Sequence, residues 1–238
     1  MVVWNGVNFT ADGREPTTGE EFYQIGLYCW NSGQYRPAAA FFLEHAAVGG
    51  HAVAAELLGH VLYLQGDYAR AVPWLLQSPA SRRAAYYLGT LYQQGCPQAG
   101  FVQSYDAAAE WYRKSAALGE PEAMLALGEL YLDRLLPITR APVDHALEYL
   151  LRAAQGGHPY AQYRVAELYR TLDADLERAA AFYEQCLANP AREGHSLGSL
   201  MTLQSEAALR EIRSTQASRG WEQRRRAVNP TRPQSPSG

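Results

Sequence analysis

Two short patterns alternate along this chain, five copies of each, and together they fix its class of fold. One is a small residue behind an apolar one: Ile25-Gly26, Leu58-Gly59, Leu88-Gly89, Leu127-Gly128 and, more loosely, Val165-Ala166. The other is an aromatic residue three positions after an alanine, at Ala38/Phe41, Ala71/Trp74, Ala108/Trp111, Ala146/Tyr149 and Ala179/Phe182. Periods of roughly 30–40 residues built from two helices mark a helical repeat array. In such an array each unit touches only its neighbours, and stacking builds one continuous core.

The helical period explains the first pattern. Residues one before and three after the small one lie four apart, on a single helix face. Those positions hold Ile25, Leu58, Leu88, Leu127 and Val165, then Cys29, Leu62, Tyr92, Tyr131 and Tyr169. Glycine inside a helix costs about 1 kcal/mol against alanine. Its return at the same slot therefore predicts close approach by a partner helix, which is a packing role and not chemistry.

The clearest copies are WYRKSAALGEPEAMLALGELY, from Trp111 to Tyr131, and YLLRAAQGGHPYAQYRVAELY, from Tyr149 to Tyr169. They resemble the Sel-one-like repeat family, a branch of the tetratricopeptide superfamily, and the likeness extends over residues 20–187. Long connections at 95–103 and 133–143 resemble the Sel-one-like type; the shorter ones resemble ordinary tetratricopeptides. The resemblance implies an all-α, right-handed α-solenoid of about five antiparallel helix pairs with a C-terminal capping helix. It implies protein binding and no particular reaction.

In chain order, Val2–Phe9 carries Asn5-Gly6 between β-prone arms, the strongest short hairpin signal. An irregular arm with Trp4 over the end of the core fits those residues equally well. Thr17 or Thr18 is placed to cap a helix starting near Glu20. Helices are expected at 20–32, 35–48, 52–65, 67–77, 81–94, 104–118, 121–133, 143–155, 159–172, 175–188 and 196–213. Pro73 falls inside the fourth and should kink it. The domain plan is an arm at 1–19, the repeats at 20–188, a capping segment at 189–213 and a disordered basic tail at 214–238.

The formal charge of −3 divides into +4 on residues 214–238 and −7 on the rest. Cys29, Cys96 and Cys186 fall in three different repeats without metal or disulfide spacing. The N-terminus lacks the pattern of a secretory leader, and no 18 apolar residues run together. A cytoplasmic protein is the expectation.

None of the six histidines sits in a recognised ligand pattern, and no phosphate loop or nucleophile elbow occurs. Neither an enzyme, a cofactor nor a metal is expected. One face of each first helix is left over once the core face is assigned, and in the family it resembles that face lines the concave surface. The candidate groove residues are Tyr23, Trp30, Glu56, His60, Tyr63, Arg83, Tyr86, Thr90, Gln93, Glu129, Tyr163, Glu167 and Arg170. Tyrosine, tryptophan and arginine are the types most enriched at interface hot spots. The function expected is a non-enzymatic adaptor or scaffold holding a protein or peptide in that groove. The alternative is an immunity or inhibitor protein that neutralises a toxin enzyme. Trp221 with Arg224, Arg225 and Arg226 offers a weaker surface for nucleic acid or an acidic partner.

Overall fold

The computed structural model describes residues 3–4, 7–8, 15–33, 35–133, 142–173 and 175–228, with the backbone alone at 3–4, 7–8, 142, 173 and 220–228. Residues 1–146 and 147–238 form two compact units. Strands β1 (Val3–Trp4) and β2 (Val7–Asn8) pair antiparallel, Val3 with Asn8 and Trp4 with Val7, as the Asn5-Gly6 hairpin signal predicts.

The first unit holds α1 (Gly19–Asn31), α2 (Arg36–Val48), α3 (Ala52–Leu64), α4 (Tyr68–Gln77), α5 (Arg82–Gln94), α6 (Tyr105–Ala117) and α7 (Pro121–Leu132). It ends in the first turn of α8 (Pro142–Gln155). Helices pack against their sequence neighbours, α1 on α2, α3 on α4 and α5 on α6, as a repeat array requires. The remainder of α8, with α9 (Pro159–Leu168), α10 (Leu176–Ala188) and α11 (Gly198–Val228), makes the second unit. A π-turn, Tyr169–Asp173, continues α9, and α11 packs on α10. The fold is an all-α helical repeat solenoid.

The small residues of the first pattern and the alanines of the second lie in the core. Ala38, Ala71, Ala108, Ala146 and Ala179 are all fully buried. A Cβ added to Gly26 would meet Leu43 at 2.7 Å, and one on Gly59 would meet Leu75 at 3.0 Å. Alanine and glycine are the residues that let helix backbones come this close. The five aromatic markers are not core residues: Phe41 is exposed, and Trp74, Trp111, Tyr149 and Phe182 are half-buried. The interior is filled by the next residue in each case, Phe42, Leu75, Tyr112, Leu150 and Tyr183.

The helix starts are specified locally. Thr18 and Glu21 form a reciprocal capping box at α1. His51 and His158 cap α3 and α9, each Nδ1 accepting from a backbone N–H, of Ala54 at 3.1 Å and of Ala161 at 3.2 Å. Both histidines follow a glycine pair, and Gly50 and Gly157 take the left-handed conformation that turns the chain there.

The C-terminus departs from the expected plan. Helix α11 continues to Val228, through a stretch read as disordered from residue 214 onward. Met201, Ser205, Ala208, Leu209 and Ile212 dock its first half. Ten of the sixteen residues 213–228 are Arg, Gln, Ala or Glu, which are good helix formers, and Gly220 is the one strong opponent of helix among them. Propagating a nucleated helix is far easier than starting one. Arg224, Arg225 and Arg226 lie in the backbone-only part, and residues 229–238 fall outside those described.

Candidate functional site

The first helices position the candidate groove side chains. Their inward faces carry the buried leucines and small residues, so the opposite positions stay half-buried or exposed. The structure gathers twelve of the thirteen candidates into three groups, two in the first unit and one in the second, while Glu129, half-buried on α7, stands outside them.

The first group surrounds a cavity of about 220 Å³. Tyr23, Glu56, His60 and Arg83 line it, together with apolar Leu27, Val53, Leu57 and Leu75. The Tyr23 ring stacks on His51 with centroids 4.4 Å apart, and His51 Nε2 pairs with Glu20 at 3.0 Å. Trp30 meets His60 edge-on at 5.7 Å and carries the Arg36 guanidinium over its face. Burial is the main force lowering the His60 pKa, Arg83 adds to it, and Glu56 opposes it. His60 is therefore neutral at pH 7.

The second group is a tyrosine cluster. Tyr63 stacks on Tyr87 at 4.1 Å, and Tyr86 lies against Tyr87 and Tyr112. Tyr112, from α6, reaches across to α5 and donates its hydroxyl to Gln93 Oε1 at 2.6 Å, with Thr90 Oγ1 at 3.3 Å. Burial pushes Tyr63 and Tyr87 up to about 12.

The third group repeats that device in the second unit. Tyr183, from α10, donates its hydroxyl to Glu167 and accepts from Arg170 Nε at 3.2 Å. Arg170 also pairs with Glu167 at 3.0 Å. Tyr163 donates to Gln204 of α11 at 2.7 Å. Thr90 and Gln93 sit one and four residues after Gly89, as Glu167 and Arg170 do after Ala166. In both units, then, a buried tyrosine from the second helix holds the two side chains at the same register of the first. Sequence reasoning missed Tyr112 and Tyr183, although each stands directly after an aromatic marker.

Beside Tyr86 and Arg83 lies a buried carboxylate. Glu120 is 6% exposed, in the turn before α7, with Arg82 Nε at 3.1 Å. Burial, reinforced by Glu122, raises its pKa to about 7 against the pull of Arg82 and Arg83. The folded chain therefore binds this proton more tightly than the unfolded one. The resulting stability is full below the ordinary carboxylate range and is lost as pH rises towards 7. Glu120→Gln should remove that slope. Denaturant titrations of both proteins at pH 5 and pH 8 should show the variant gaining about 2 kcal/mol on the wild type, each pKa unit being worth 1.36 kcal/mol.

Among the described residues no cluster of three or more His, Cys, Asp or Glu could hold a metal ion, and no helix is long and apolar enough to cross a membrane. Cys29, Cys96 and Cys186 are free and buried.

Paired helices and glycine-mediated contacts define a helical repeat protein. Residues 82–120, 121–158 and 159–185 match the Sel1 repeat, so the chain carries three repeats of the Sel1-like type. It is similar in fold to a Sel1 repeat protein from Oxalobacter formigenes, at 24% identity and a TM-score of 0.61, over 74% of this chain and 75% of that one. It is also similar to a protective antigen of uropathogenic Escherichia coli, at 19% identity and a TM-score of 0.59, over 85% of this chain and 46% of that one. The chitin synthase regulator SKT5 of Saccharomyces cerevisiae is 29% identical over 109 residues, which make up 44% of this chain and 15% of that protein.

Proposed function

We propose that the chain is a non-enzymatic adaptor or scaffold whose first helices grip a segment of a protein partner. Sel1 repeats mediate protein–protein interaction. The observation that carries the finer reading is the aromatic character of the first-helix positions left outside the core. Tyr23, Trp30, Tyr63, Tyr86 and Tyr163 are all half-buried, the first four packing against the hydrophobic core without being enclosed by it. Such side chains give large contact area for little lost entropy. Glu56 beside them favours basic groups on the partner, whereas Glu167 is already taken up by Arg170 and Tyr183. Three unpaired thiols support a reducing, cytoplasmic setting.

Tyr86→Ala tests the reading. A partner captured with the chain from its native host should bind the variant more weakly by about 2 kcal/mol, roughly 30-fold. Tyr86 also packs on Tyr87 and Tyr112, so the comparison requires that helicity and melting temperature be retained. Equal affinity in a variant so folded would count against the groove. The −7 charge outside residues 214–238 supports a second reading, an inhibitor that masks a basic toxin enzyme. Relief of toxicity on co-expression with that enzyme separates the two.

A further inference from the structure

The second repeat is the shortest, and its shortening shapes the cavity described above. Helix α4 has 10 residues where the second helices of the other repeats have 13 or 14. The chain turns back about 4.5 Å early at 1.5 Å per residue. The turn that follows, residues 78–81, walls a wider recess, and Ser81 belongs to the cavity as well. Val53 and Glu56 also border both.

The lining is chemically specific. Leu27, Val53, Leu57 and Leu75 supply apolar wall, while Tyr23, Glu56, His60 and Arg83 supply polar groups. None of these four side chains makes a hydrogen bond or an ion pair with another described residue. The contrast with Tyr112, Glu167, Arg170 and Tyr183 is direct, since all of those are paired. Glu56 on α3 and Arg83 on α5 are both close enough to His60 to act on its charge, yet they do not pair with each other. A neutral His60 adds one donor and one acceptor. An apolar pocket with a few convergent polar groups is the ordinary form of a small-molecule site.

Size and charge narrow the occupant. Drug-sized ligands occupy clefts of about 300–1,000 Å³, and this cavity is smaller. At about 30 Å³ per water it would hold roughly seven, the space of a small metabolite and not of a drug-sized ligand. A ligand of one sign would leave either Glu56 or Arg83 unmatched. We propose that the cavity binds a single apolar α-amino acid as its zwitterion. Glu56 takes the ammonium, Arg83 takes the carboxylate in a fork-to-fork pair, and the side chain lies against Leu27, Val53 and Leu57.

The test uses the full chain alone, so its failure leaves the reading of a protein partner untouched. Calorimetric titrations compare leucine and phenylalanine with leucine amide, N-acetylleucine and leucyl-leucine. Leucine or phenylalanine should bind saturably, and the amide and acetyl forms at least tenfold more weakly. Arg83→Gln should weaken leucine tenfold or more while leaving leucine amide unchanged. Glu56→Gln should do the same for leucine against N-acetylleucine. Both residues are exposed, so the variants should fold, and circular dichroism checks that they do. The proposal is overturned if no apolar amino acid binds at millimolar concentration. It is equally overturned if the amide and acetyl forms bind as well as leucine, if leucyl-leucine binds more tightly, or if neither substitution matters.

Discussion

Gly89→Leu should destabilise the first unit by at least about 3 kcal/mol, at the upper end of what overpacking a core costs. Helix propensity alone predicts the opposite, since glycine inside a helix is worse than alanine by about 1 kcal/mol. The reason lies in what a side chain would meet. A Cβ at Gly89 would stand 2.6 Å from Cδ1 and Cε1 of Tyr112 and 3.2 Å from the Ala108 carbonyl oxygen. The Tyr112 ring is 1% exposed and its hydroxyl is held by Gln93, so it has no room to retreat. Gly89→Ala should therefore also lose stability, though less than leucine does. Denaturant unfolding of the three proteins, followed by far-ultraviolet circular dichroism, gives the ranking. A leucine variant as stable as the wild type would mean that α5 and α6 are not in this contact.

The second large effect belongs to Tyr183. Its side chain is fully buried, and truncating a buried aromatic to alanine costs about 3–5 kcal/mol. Tyr183→Phe keeps the ring and removes only the hydroxyl shared by Glu167 and Arg170. Hydrogen bonds to charged groups contribute about 1.5–3 kcal/mol, so phenylalanine should fall between alanine and the wild type. Unfolding measured by the same denaturant titration decides it. If phenylalanine matched the wild type, the hydroxyl would add nothing and the ring alone would hold α9 to α10.

Much of the fold could be read from the residues because its packing repeats. Gly26, Gly59 and Gly89 alternate with Ala38, Ala71 and Ala108, and close helix contact demands small side chains at both places. The aromatic markers were harder to place. Phe41-Phe42, Trp111-Tyr112 and Phe182-Tyr183 offer two neighbouring large residues, three and four positions after a buried alanine, and in each case the one four positions on turns inward, on the alanine's own face. The length of α11 was hidden for a different reason: its apolar stripe stops at Ile212, and none of residues 213–219 is buried, so no core pattern runs on past that point. Tyr23, Glu56, His60 and Arg83 were legible as members of one face. That they enclose a cavity depends on where α4 ends and on the turn at residues 78–81, which no periodicity encodes.

Amide hydrogen exchange of the full chain, with and without its captured protein partner, tests most directly whether the first helices hold that partner. Protection should rise in α1, α3, α5, α7 and α9 and stay unchanged in α2, α4, α6 and α10. Protection confined to the second helices, or to the far end of α11, would contradict a partner held on the tyrosine-lined face.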